Sequence, residues 1–528
     1  MRRFTAAATV LWLAMAVSLP LWADEPGSFV VWTNSPYVAT GPSSMPPPEA
    51  APPRLAVEAA INEYEHVVLN VTNLSPRPLE FELEGRLPGQ VGLPRAGLNL
   101  PIQQLAAQER NPLRAKLADL PEKEDGLAMP LVELDSLGTF FVPASQTRQL
   151  WLTVQTRDLE PGFSRQQLRV VPLAEPQAAV TVPVDLQVWN VRLDDEAPIG
   201  VFCFDYAGAY RWLKEHKINV WFRGAFPPRG IKLDEEGNLA PFETDIKRVV
   251  QRREEGAEKF LFSYGYSGSF IKWAEEQGLE YMSPRWQELF REVLARMVRE
   301  WKAAGLDYDD FALQTIDEAH EAQVEQVIET TPLVRQVDPN VRTAMTIMTG
   351  LEELEKMAPH VDVWVNRNGA IWSPEQKAFF DGQRREGKPI WSWNMPGNPK
   401  SDPLTQFRTY GWRAMKFDFD AIGFFLYSGV VYDPFRPGGG FSTRHWEAWR
   451  DGVEDYQLLW TLGEEIRRAG GRGAAASQLH AAEEALARAV DDVLTESFFP
   501  PNSQETHDRI QAARREVARR IDLVRTLP

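Results

Sequence analysis

A chain of 528 residues is longer than a single hydrophobic core organises, so about two to four domains are expected. Its 44% hydrophobic and 25% charged residues are those of an ordinary folded protein, and a formal net charge of −17 repels polyanions, which argues against a nucleic-acid partner. The single cysteine, Cys203, excludes both an intramolecular disulfide and a cysteine-built zinc cage.

In chain order, Arg2 and Arg3 precede an apolar run over 6–17, and Leu21-Trp22-Ala23 ends in a small residue before Asp24 and Glu25. This is the pattern of a signal peptide, 1–23, cleaved after Ala23, and it implies an exported protein: periplasmic, secreted or held at the cell surface. No cysteine follows the run, so lipid attachment of the lipobox kind is not expected. An uncleaved anchor is the alternative reading, but the run is short for a spanning helix, and no other stretch is long and apolar enough to cross a bilayer.

Residues 40–54 are rich in Pro and Ser and read as a linker. From about 55 to 195 short alternating runs follow, such as 66–71, 149–154 and 180–186, separated by turn residues such as Pro161-Gly162; the expected element is a β-sandwich domain over 24–195. Past Pro198 short apolar strands alternate with helical patterns. Candidate strands are 200–204, 219–222, 259–263, 311–316, 342–347, 361–365, 389–393 and 421–426. Eight β/α alternations within about 230 residues predict a (β/α)₈ TIM barrel over 196–435.

Helix signals support the alternation. Trp286, Leu289, Phe290, Val293, Leu294, Met297, Val298 and Trp301 fall at the spacing of one buried helical face. Ser283-Pro284 supplies an N-cap and a first-turn proline, a device that Ser373-Pro374 and Asp402-Pro403 repeat. After about 440 the strands stop, and helical patterns over 443–468, 474–495 and 504–527 predict a small C-terminal helical bundle within 436–528. Charged runs there, such as Arg514-Arg515-Glu516, read as a solvated face.

In such a barrel the site lies at the C-terminal ends of the strands. Those ends carry Asp205 and Tyr206, Arg223, Tyr264 and Tyr266, Asp317 and Glu318, Asn366 and Arg367, Trp391, Trp393 and Asn394, and Tyr427. Carboxylates, aromatic rings, Arg and Asn on one rim suit a polyhydroxylated ligand, because rings stack on apolar sugar faces and forked polar groups hold hydroxyls. The 18 tryptophans fit that use and fit plain core filling equally.

Asp317-Glu318 is the sharpest feature, since two adjacent acids ending an apolar strand are costly unless bonded or used. One reading is catalysis, in which burial raises at least one pKa into the range of a general acid; the other is capping of the following helix. An ordinary retaining glycosidase needs a second carboxylate about 5 Å from the acid. The strand-seven end, Trp391-Ser392-Trp393-Asn394, offers none, and the other rim acids are Asp205 and Asp433. That favours a substrate that supplies its own nucleophile, as the acetamido carbonyl of a 2-acetamido sugar does. No metal-ligand spacing, glycine-rich phosphate loop or serine elbow is present, so no metal and no cofactor are expected.

Four stretches together resemble glycoside hydrolase family 123: Asn62-Glu63-Tyr64-Glu65, the Asp317-Glu318 pair, Gly411-Trp412-Arg413-Ala414 through Gly423-Phe424, and Trp449-Arg450-Asp451-Gly452-Val453-Glu454-Asp455-Tyr456. The resemblance spans roughly 55–465, and the last stretch reads as a link between barrel and bundle. It implies a retaining, substrate-assisted β-N-acetylgalactosaminidase, with Asp317 orienting the acetamido group and Glu318 as general acid/base. Two departures stand out: Ala319 follows the pair where relatives often carry Pro, and Tyr427-Ser428 stands where many carry Trp. A glycosidase of other specificity using Asp205 or Asp433, and a sugar-binding protein without activity, stay open. The expected partner is a glycan, and the sequence specifies no oligomeric state.

Overall fold

The computed structural model describes residues 27–38, 40–49, 51–86, 102–105, 131–133, 138–204, 210–222, 228, 230–263, 270–347, 349–367, 373–395, 401–425, 427, 442–495 and 499–528. Strands β1 (Phe29–Trp32), β2 (Leu55–Ile61), β3 (Tyr64–Asn73), β4 (Leu79–Arg86), β5 (Ile102–Leu105), β6 (Leu131–Glu133), β7 (Thr139–Val142), β8 (Thr147–Gln155), β9 (Gly162–Pro172) and β10 (Val180–Arg192) form two sheets, ordered β1-β3-β8-β5-β6 and β2-β10-β9-β4-β7. Alternation builds their shared core. Val182, Val184, Leu186 and Val188 of β10 meet Leu69 and Val71 of β3 and Leu150, Leu152 and Val154 of β8. The opposite face of β3 and β8 is buried too, with Val68 and Trp151 facing the rest of the molecule.

The barrel strands are β11 (Gly200–Cys203), β12 (Val220–Phe222), β13 (Lys259–Ser263), β14 (Phe311–Gln314), β15 (Arg342–Ile347), β16 (Val363–Arg367), β17 (Ile390–Asn394) and β18 (Ala421–Phe424). They make one parallel sheet in the order β11-β18-β17-β16-β15-β14-β13-β12. The remaining seam, between β11 and β12, is bridged by Asn219. Its backbone N–H donates to Val201 O at 3.1 Å, and its Oδ1 accepts the Val201 N–H at 2.7 Å. All eight strands fall where the apolar runs place them. The 311–316 expectation shortens to Phe311–Gln314, because the chain leaves the ladder just before the two acids.

The helices are α1 (Tyr210–Glu215), α2 (Ile246–Glu254), α3 (Phe270–Glu276), α4 (Pro284–Ala303), α5 (Glu321–Val337), α6 (Leu351–Met357), α7 (Pro374–Arg385), α8 (Thr409–Phe417), α9 (Arg444–Arg472), α10 (Ala476–Leu494) and α11 (Gln504–Arg525). All eight residues of the predicted stripe on α4 are buried, and Ser283 caps it by accepting the Trp286 N–H at 3.3 Å. Ser373 caps α7 in the same way. Asp402-Pro403 departs from the expectation by opening a π-turn, Leu404–Arg408. There the Thr409 N–H reaches Leu404 O, and Thr405 O, freed from the ladder, accepts the Thr409 hydroxyl and the Arg413 guanidinium.

Inside the barrel the filling is aromatic: Phe202, Phe222, Trp391 and Trp393 join Val220, Leu261, Val363 and Val365. Gly423 leaves room for it, since a Cβ there would run into the Phe202 ring.

The stretch Trp449–Tyr456 is fully buried on α9 and does more than join barrel to bundle. Gly452 lies directly on the backbone of Phe407 and Arg408, and Gly411 on Gly452; a side chain at either would drive the elements apart. Asp451 accepts from the Tyr37 hydroxyl and from Arg408 at 3.1 Å. Asp455 accepts from Arg408 at 3.0 Å and Trp412 Nε1 at 2.9 Å and pairs with Arg514 at 2.9 Å. Arg514 also binds Glu63 and Glu65 of the sandwich, and Glu454 accepts the Tyr64 N–H at 3.0 Å. One buried ionic network therefore ties sandwich, barrel and bundle together. Arg514 corrects the expectation of a solvated face: helical periodicity turns it inward with Ile510, Ala513 and Val517, while Arg515 points outward to Glu58.

Candidate active site

Neighbouring side chains on a regular strand point to opposite faces, so Asp317 and Glu318 converge only if the backbone breaks its pleat between them. It does so at Glu318, whose φ of 48° is left-handed, an uncommon conformation for a residue with a Cβ. Ala319 then rejoins the sheet through a bridge to Ile347. Both acids are thus held at the rim, half-buried.

Asp317 is fixed by neutral donors. Its Oδ1 accepts from the Thr346 hydroxyl at 2.7 Å and from Gln314 Nε2 at 3.0 Å. Gln314 Nε2 donates also to Thr346 Oγ1, and the Glu318 N–H donates to the same oxygen at 2.7 Å. The capping alternative does not hold: α5 begins at Glu321 with His320 as its N-cap, and the His320 N–H donates to Gln323 Oε1 at 2.9 Å.

Partial burial, then the charge of Asp317, push the Glu318 pKa above the usual carboxylate range, while Arg367 and His320 pull it back. Arg367 also lies over the Trp393 ring, 5.8 Å from its centroid. Among the described residues, the Trp393 indole N–H is buried without a partner.

Alternation separates the remaining candidates. Val363 and Val365 face the barrel interior and Trp364 the helical shell, which carries Arg367 inward and Asn366 outward. By the same parity Trp391 and Trp393 face in, with Trp391 one layer beneath the rim, and Asn394 faces out. The Asn394 amide is spent on Gln406 Oε1 at 2.8 Å. Tyr427 is buried outside the barrel, its ring edge-on to Trp446 of α9 at 5.4 Å. Asp205, Tyr206, Arg223, Tyr264, Tyr266 and Asp433 lie outside the described residues. The structure therefore brings Asp317, Glu318, Arg367 and Trp393 together. It adds Gln314 and Thr346, which the reading of strand ends did not include because both sit inside strands. Gln314 carried a signal, as the one polar residue in the buried run Phe311-Ala312-Leu313-Gln314.

No protein-family model and no curated protein matches this chain. Among solved structures, a family 123 glycoside hydrolase from Clostridium perfringens, described for its hydrolysis of glycolipid glycans, superposes with a TM-score of 0.63. The match covers 89% of this chain and 94% of that one, at 10% sequence identity. The two proteins share one fold. That agreement runs across sandwich, barrel and bundle and matches the resemblance read from the sequence. An endo-1,4-β-mannanase from Rhizomucor miehei (TM-score 0.34, 12% identity, 48% of this chain and 95% of that one) and a family 5 xyloglucanase from Bacteroides ovatus (TM-score 0.25, 9% identity, 75% and 98%) are too distant to bear on the argument.

Proposed function

We propose that this protein is an exported glycoside hydrolase that cleaves 2-acetamido-2-deoxy sugars, β-N-acetylgalactosaminides being the leading class, with retention and with assistance from the substrate. The observation that carries the reading is the pair of adjacent carboxylates brought to one rim by the turn at Glu318 and given unlike surroundings. Asp317, braced by two neutral donors on Oδ1, suits a carboxylate held in place to receive the acetamido N–H. Glu318, whose proton is held further toward neutrality, suits a general acid.

In this mechanism the acetamido oxygen attacks the anomeric carbon while Glu318 gives its proton to the departing glycosidic oxygen. Asp317 accepts the acetamido N–H and offsets the positive charge that builds on the ring formed. Glu318, now a carboxylate, takes a proton from water as that water opens the ring at the anomeric carbon, restoring the starting configuration. Trp393 and Arg367 flank the pair, an apolar face and a forked donor for the sugar. Export rests on the basic and apolar pattern of residues 1–23; among the described residues no helix is long and apolar enough to cross a membrane.

The test compares hydrolysis of an aryl 2-acetamido-2-deoxy-β-galactoside with that of its 2-hydroxy counterpart. The expected result is cleavage of the acetamido sugar alone. Equal cleavage of both would remove the substrate's amide from the mechanism, and cleavage of neither would overturn the reading in favour of a glycosidase of other specificity or a sugar-binding protein.

A further inference from the structure

We propose that Thr346 is the positioning residue of the acid pair, holding the Asp317 carboxylate through its hydroxyl proton and the Glu318 backbone through the same oxygen. The inference rests on the function proposed above and extends it to a residue that touches no substrate. Thr346 faces the barrel interior near the end of β15 and is fully buried. Its hydroxyl has one proton and two lone pairs. Both lone pairs are used, one by the Glu318 N–H and one by Gln314 Nε2. Its proton therefore has one acceptor, Asp317 Oδ1.

Gln314 reinforces the arrangement. Its amide nitrogen donates to Thr346 Oγ1 and to the same Asp317 oxygen. Oδ1 is thus held by two donors, which fixes the carboxylate and leaves Oδ2 for the substrate. The same hydroxyl holds the Glu318 N–H in the left-handed turn that brings the second carboxyl alongside. Partial burial and then the charge of Asp317 raise the Glu318 pKa. Among the described residues, Arg367 at the end of β16 and His320 at the start of α5 lower the Glu318 pKa.

The experiment is the pH profile of kcat/KM on an aryl 2-acetamido glycoside for the full-length protein and for Thr346→Val, Thr346→Ala and Thr346→Ser. Valine keeps the shape and removes the hydroxyl. Asp317 then loses an anchor beside Glu318, and with it part of the charge effect that raises the Glu318 pKa, so the alkaline limb moves down, by about half a pH unit. The pair is also less well aimed, so kcat falls by about tenfold, the loss expected of one positioning hydrogen bond, while KM changes little. Serine restores both. A merely structural loss lowers the active fraction and leaves the limb in place, so an unmoved limb in the valine and alanine variants overturns the proposal, as does failure of serine to restore it. Alanine adds no bulk and carries the test where valine folds poorly. Infrared titration of the carboxyl stretch reads the same effect without substrate. The difference between wild type and Glu318→Gln isolates Glu318, whose midpoint moves down in Thr346→Val; no movement overturns the proposal even where the protein cleaves no glycoside.

Discussion

Glu454 and Asp455 are sequence neighbours in the junction between the three parts of the molecule, just as Asp317 and Glu318 are neighbours at the barrel rim. On α9 the helix turns successive residues about 100° apart, so the two junction acids diverge to different partners. Glu454 goes to the Tyr64 N–H, while Asp455 goes to Arg408, Trp412 and Arg514. At the rim, the left-handed turn makes the two acids converge, and the donors to Asp317 are a hydroxyl and an amide. An acid matched by fixed guanidinium groups serves the fold. Glu318, beside a second acid and with Arg367 half-exposed nearby, has its pKa raised and suits proton transfer. The density of buried carboxylates is greater at the junction, so what distinguishes the site is how they are matched.

The comparison can be sharpened by substitution, and the largest effect belongs to the rim. Glu318→Gln removes the proton donor, so hydrolysis of glycosides with poor leaving groups should fall by about 10²–10⁴-fold, and that of activated aryl glycosides by much less. A parallel fall for both would take the acid role from Glu318.

At the junction, Arg514→Met leaves Glu63, Glu65 and Asp455 without their shared cation. Removing one side of a buried ionic group costs about 3–5 kcal/mol, read from the denaturation midpoint at constant m. A loss near zero would mean that the network is not holding the three parts together.

The smallest effect is one of pH. Arg367 holds the Glu318 pKa down against burial and Asp317. Arg367→Met should therefore raise it and carry the alkaline limb of kcat/KM upward, by no more than about one unit at a half-exposed site. A downward shift would place Arg367 elsewhere in the mechanism.

Much of this fold was legible because its signals are local. The barrel strands are short apolar runs, and α4 repeats its apolar residues at helical spacing behind Ser283-Pro284. The acid pair was legible as two charges ending a buried strand, and Arg367 and Trp393 as strand-end residues. Reading strand ends without strand parity also admitted Asn366 and Asn394, whose side chains belong to the outer side of the barrel wall. Tyr427 was admitted as a rim residue, but its ring is drawn to Trp446. The junction network was illegible for a different reason: Glu63, Arg408, Asp455 and Arg514 lie far apart along the chain, and nothing local marks Arg514 as buried where Arg515 beside it is exposed. Thr346 was illegible because its role depends on register, the placement of β15 beside β14, which a single strand does not carry.

The contrast between the two regions is tested most directly by one paired measurement: kcat/KM and unfolding free energy for Asp317→Asn and Asp455→Asn in the same preparation. Asp317→Asn should abolish most activity on 2-acetamido glycosides while leaving stability nearly unchanged, because the amide keeps an oxygen for Thr346 and Gln314 to donate to. Asp455→Asn should cost several kcal/mol of stability, on the order of a broken buried ion pair, while the protein that remains folded keeps its kcat/KM. The account is contradicted if Asp317→Asn destabilises as strongly as Asp455→Asn and the folded fraction retains full activity.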